Sequence, residues 1–279
     1  MPEPVKKAFA GEPSSPYVAY LQDSQQPLNA LIFLLPILAV YHFGIWFLRD
    51  LRVANGAAVM LAEGVNLLYF AGLAGLRALS PELAAEDGVA AWFLRTFSSL
   101  FALFFVAFTL LLWQNVSARG RWRFKPKVFF FMFLESVLFA LPLLALDWVV
   151  RYIAEYPAVA LSAVPGGAPQ DWLAGLVLSA GAGVYEEFLF RLLLMGGMFW
   201  AGRHLLGLSE LPRYWLAMLG QALAFAAFHY LPWSPEEFLL PVFTFRLAAG
   251  LYFGYLFQER GLGITAAGHA VYDILAVMV

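Results

Sequence analysis

The chain has 279 residues, of which 62% are hydrophobic and 13% charged, about half the charged share that a soluble domain uses to hydrate its surface. A net charge of −2 excludes the basic footprint of a nucleic-acid binder. With no cysteine, disulfide frameworks, thiolate nucleophiles and cysteine-based metal sites drop out as well.

Residues 1–27 read as a polar N-terminal tail, with Glu3, Lys6, Lys7, Glu12 and Asp23 among Pro, Ser and Gln. They lack the apolar centre and cleavage site of a signal peptide. From there on, apolar runs dominate. A hydrocarbon core about 30 Å thick needs about 20 apolar residues per helix, which predicts about eight spans. They fall at 28–48, 56–79, 90–116, 128–150, 172–201, 215–231, 238–257 and 262–279. The second carries Glu63 and many glycines. Trp113, Trp122, Trp172, Trp200, Trp215 and Trp233 sit at or near span ends, where an amphipathic ring prefers the headgroup level. No connection is long enough for a separate soluble unit. The expected fold is therefore all-α, a polytopic transmembrane helical bundle forming one domain over 28–279. Gly250-x-x-x-Gly254, and Gly181 with Gly183, offer small-residue surfaces for helix packing.

The basic cluster Arg119, Arg121, Arg123, Lys125 and Lys127 reads as a cytoplasmic loop. Counting eight crossings from it puts both termini and residues 232–237 outside, so a cavity beside that segment would open on the extracytoplasmic side. A re-entrant 56–79 would instead move the N-terminal tail inside.

Ionisable groups within spans are expensive and mark function or pair with one another. The fifth span holds Tyr185-Glu186-Glu187-Phe188-Leu189-Phe190-Arg191. Glu187 and Arg191 are four residues apart on one helical face and can pair. Glu186 lies about 100° around the helix and is assigned to chemistry, with Glu187 and Arg191 holding the site. Phe225 and His229, and then His269 and Asp273, are each i, i+4 pairs, so each helix presents one compact patch. Two of the four histidines thus fall on separate helices after the acidic span. These parts permit water activation by Glu186 with His229, and stabilisation of a tetrahedral oxyanion by His269 with a neutral partner. No cofactor is required. Glu186, His229 and His269 are also possible ligands for a divalent metal such as zinc.

The ordered set Glu186-Glu187-x-x-x-Arg191, Phe225-x-x-x-His229 and His269-x-x-x-Asp273 resembles the CPBP family, which holds type II CAAX-prenyl proteases and bacterial Abi proteins. The motif core occupies about 172–279. The resemblance implies an all-α membrane fold with a conical intramembrane cavity, and endopeptidase activity of the glutamate type. In it Glu186 and His229 activate water, and His269 with the residue four later forms the oxyanion hole. Eukaryotic members carry Asn at that later position, where this chain has Asp273. An ionised Asp273 would repel an oxyanion, so it is expected to be protonated or paired with His269.

Other intramembrane proteases fit less well, since His-Glu-x-x-His and Gly-x-Ser-Gly are absent. The order of Tyr272-Asp273 and Gly261-Leu262-Gly263 is reversed relative to aspartyl intramembrane proteases. Rivals of another class are a proton-coupled transporter, using Glu63, Glu135, Glu186, Arg246, His269 and Asp273 as a path, and a non-catalytic scaffold. The expected partners are the lipid bilayer and a membrane-associated protein or peptide substrate, such as a C-terminal sorting tail or CAAX-like sequence, with no nucleic acid. The expected location is the bacterial inner membrane, with several passes. Nothing in the sequence sets an oligomeric state.

Overall fold

The computed structural model describes residues 15–48, 89–117, 125–154, 172–230 and 238–278. Among them all regular structure is helical. Helix α1 is Pro16–Ser24, α2 Pro27–Leu48, α3 Val89–Ser117, α4 Pro126–Ala154 and α5 Trp172–Glu187. The chain then continues through a π-helix, Phe188–Met195, into α6, Gly196–His204. Helices α7, Glu210–Phe228, and α8, Leu240–Met278, complete the order. The expected span at 56–79 lies outside the described residues.

Among the described residues Pro27–Gly44, Pro126–Ile153 and Leu240–Ala276 are long and apolar enough to cross a membrane, and Leu100–Val116 is a shorter apolar helix. Their outer faces are greasy: Phe104, Phe108, Phe130, Phe133, Leu138 and Trp148 are all exposed. So much exposed aromatic and aliphatic surface suits lipid rather than water.

Helix α8 is two helices. At Gly261 the backbone takes φ 77°, ψ 177°, a region essentially reserved for glycine. If α8 ran straight, Phe253 and His269 would be about 24 Å apart and Phe245 and Tyr272 about 40 Å apart at 1.5 Å per residue. Their ring centroids are instead 4.6 Å and 6.0 Å apart. The two arms, before and after Gly261, fold back on each other as a hairpin, matching the two expected spans 238–257 and 262–279.

The neighbours register on this hairpin. Ser136 donates to the Ile264 carbonyl at 3.4 Å, and Leu143 shares a buried cluster with Tyr272, so α4 runs parallel to the second arm. Helix α5 is antiparallel to α2: a Cβ on Gly44 would strike Val177, and one on Gly181 would strike Tyr41. The π-helix with α6 runs antiparallel to α7, through Phe190 against Phe225 and Phe228 and Gly220 against Met198.

The N-terminal segment corrects the expected topology. Residues 16–24, read from sequence as part of a polar tail, form α1, capped by the Ser15 side chain on the Val18 N–H at 3.2 Å. Asp23 pairs with Lys125 at 2.7 Å, Gln25 donates to the Glu259 carbonyl at 2.5 Å, and Arg260 grips Glu135 at 2.5 Å while reaching Ser24 at 3.3 Å. The start of α2, the basic end of α4 and the Gly261 turn thus lie together at one end of the bundle. The expected placement of Asp23 and Lys125 on opposite sides therefore does not hold. Helices α2 and α3 are antiparallel, since the Leu28 N–H at the start of one donates to Gln114 near the end of the other at 3.0 Å. Leu48 and Val89 therefore share the far end.

Candidate active site

The acidic pair arrives where α5 gives way to the π-helix. Wide i→i+5 turns recur at functional sites, and here the turn begins at Phe188, directly after Glu187, and carries Arg191. Glu186, Glu187 and Arg191 are all buried, the last two completely. Helix α5 can lie this deep because Gly183 has no side chain: a Cβ there would sit 2.5 Å from Ala270 N and 2.7 Å from its Cα. Backbone thus meets backbone one residue beyond His269.

Glu187 Oε1 lies 3.0 Å from Arg191 Nη1 and 2.7 Å from His269 Nδ1. The Glu187–Arg191 pair forms as its spacing predicts. The carboxylate also accepts from Nδ1 of His269, a partner 82 positions away that sequence spacing does not reveal. With Nδ1 committed, Nε2 of His269 faces two other carboxyls, Asp273 Oδ2 at 3.5 Å and Glu186 Oε2 at 3.9 Å. Three buried acidic groups therefore converge on one imidazole.

His229 caps the end of α7, with Nδ1 donating to the Phe225 carbonyl at 2.9 Å. The neutral ring then carries its lone pair on Nε2. Among the described residues no hydrogen bond or ion pair joins Glu186 to His229, so the expected partnership between them is not a direct contact. The Phe225 ring touches both imidazoles, at 5.1 Å from His229 and 6.0 Å from His269.

Arg191 organises the aromatic walls. Its guanidinium lies 4.4 Å from the Phe225 ring centre and 5.5 Å from that of Phe253, within cation–π range. Phe253 in turn stacks on His269 at 22°. Sequence reading missed Phe253, although it lies between the two glycines of the Gly250-x-x-x-Gly254 surface. Its signal is the hairpin at Gly261, which sets residues near 253 opposite those near 269.

The structure thus gathers Glu186, Glu187, Arg191, Phe225, His269 and Asp273, with His229 reaching the group through Phe225. A metal would need three convergent donors. Among the described residues no group of three His, Asp or Glu side chains is arranged to hold one. Glu187 Oε2 and Asp273 Oδ2 are buried without a hydrogen-bond partner among the described residues. They leave acceptor capacity facing the cluster.

Long apolar helices enclosing a buried carboxylate–imidazole–guanidinium cluster define an integral membrane protein with the makings of a hydrolase. Residues 168–275 match the family model described as type II CAAX prenyl endopeptidase Rce1-like. This stretch contains every motif residue and is similar to the CPBP/CAAX protease family. No curated protein and no solved structure matches the chain.

Proposed function

We propose that the protein is a multi-pass intramembrane endopeptidase of glutamate type, acting without a cofactor on a membrane-associated protein or peptide in a bacterial inner membrane. The observation that carries this reading is the setting of His269. Glu187 holds its Nδ1, which aims Nε2 at Glu186 and Asp273, inside the stretch that matches the protease family. Water enters a catalytic cavity beside Glu186. Glu186 takes its proton as general base, and Nε2 of His229 accepts the water's second hydrogen bond and orients it. The hydroxide attacks the scissile carbonyl. Protonated His269 Nε2, together with the carboxyl of Asp273 in its neutral form, donates to the oxyanion. Glu186 then returns the proton to the leaving amine.

Glu186→Gln keeps the volume but cannot accept that proton. In proteoliposomes containing membrane-anchored peptides with CAAX-like or sorting-tail C-termini, it is expected to abolish cleavage while the protein still inserts and folds. Cleavage at the wild-type rate by this variant would end the catalytic assignment and favour a scaffold. Activity that survives a chelator agrees with cofactor-free chemistry, whereas activity lost to chelation and restored by zinc would overturn it.

A further inference from the structure

A second polar constellation lies at the α4–α8 interface, beside Asp273. Asp147 is buried within the largely apolar α4, and Arg151, one turn on, clasps it through two guanidinium nitrogens, Nε and Nη2. Across the interface Tyr272 is only 4% exposed, and its hydroxyl has no hydrogen-bond partner among the described residues. Leu143 of α4 and Ala276 of α8 share one buried cluster with Tyr272. Asp147, four residues after Leu143 and itself buried, therefore points into that interface. The residue after Tyr272 is Asp273.

Buried hydroxyls and carboxylates in folded proteins are satisfied by protein or by ordered water, and a hydrocarbon surround supplies neither. Ionisable residues within spans commonly mark water and proton paths. We infer that Arg151, Asp147 and Tyr272 line a narrow polar channel that brings water to Asp273 from the end of the bundle opposite the basic cluster. The ligand is water, and the channel's use, refilling the site during hydrolysis, rests on the proposed protease reading.

The cysteine-free chain allows a direct test in proteoliposomes, using a small trimethylammonium methanethiosulfonate that reacts with thiols only where water reaches them. Tyr272→Cys probes the inner position, Ala276→Cys the outer one, and lipid-facing Leu141→Cys serves as the dry control. Modification of the first two at least tenfold faster than the control is expected. Adding Asp147→Leu, which plugs the channel with a branched apolar side chain, is expected to slow both about tenfold. Labelling of a folded Tyr272→Cys no faster than the control, or labelling unmoved by Asp147→Leu, overturns the channel. If Tyr272→Cys does not fold, the response of Ala276→Cys to Asp147→Leu decides in the same way. Labelling needs no catalysis, so its outcome is separate from that of the protease reading. Under that reading, Asp147→Leu also lowers kcat with KM unchanged.

Discussion

Gly183→Ala is a one-methyl change with a calculable effect. The new Cβ would lie 2.5 Å from Ala270 N, 2.6 Å from its Cβ and 2.7 Å from its Cα, where carbon atoms prefer about 3.5–4.0 Å. Two of these three atoms are backbone, so no rotamer change relieves the overlap. The second arm of α8 must retreat by about 1 Å, and His269 is the residue next to the contact. Overpacking of this kind costs about 1–3 kcal/mol of stability. A displacement of about 1 Å at a reacting centre can cost on the order of 100-fold in rate. The assay pairs thermal unfolding in detergent with cleavage of a membrane-anchored peptide, and Gly196→Ala is the control, since nothing lies within 4 Å of a Cβ placed there. The control should fold and cleave normally, while Gly183→Ala loses about two orders of magnitude in turnover with a smaller loss in Tm. Wild-type turnover in a folded Gly183→Ala protein would refute the claim that the spacing of α5 and α8 sets the site.

Four further outcomes are expected. Arg191→Ala leaves the buried Glu187 with only its bond from His269 and removes the cation between Phe225 and Phe253, and should lose about 3 kcal/mol, read as reduced folded yield and Tm; Arg191→Lys restores charge but not the planar stacking, and should recover only part of it. Glu135→Gln weakens the grip on Arg260 beside the Gly261 turn, and is expected to lower stability by about 2 kcal/mol in the same melt. Gly261→Ala forces a side chain into a glycine-only backbone region at a cost of about 1–3 kcal/mol, detectable as a lower Tm. Asp273→Asn should retain cleavage, because an amide still donates to an oxyanion; a loss equal to that of His269→Ala would instead give Asp273 an acid–base role.

Helix positions were legible wherever apolar length alone decides them. Residues 28–48, 90–116 and 128–150 fall within a few residues of α2, α3 and α4, because about 20 apolar residues match the bilayer whatever surrounds them. The motif residues were also legible as a set, since buried ionisable groups stand out against Leu and Phe. Who touches whom was not. Spacing favours Asp273 as the partner of His269, yet Glu187 lies closer, at 2.7 Å against 3.5 Å, because Gly183 lets another helix approach. Helical periodicity cannot report a neighbour contributed by a different helix. The π-turn at Phe188–Met195 has the same apolar composition as an ordinary turn and left no trace in the pattern. The side on which the N-terminal segment lies depended on counting crossings through 56–79, whereas one pair, Asp23 with Lys125, decides it.

The fold-back at Gly261 also bears on how the protein assembles. It brings Phe253 against His269 across only 16 positions of chain, so this half of the pocket closes with a short loop and little entropic cost. The bond from His269 to Glu187 joins residues 82 apart and must wait until α5 and the returning arm are both in place. Contacts near in sequence form ahead of distant ones, so the aromatic stack can exist before the acidic pair reaches it. The protein would then gain its imidazole platform early and its buried acidic pair only at the end of folding, so the complete cluster would be absent from an unfinished chain in the membrane.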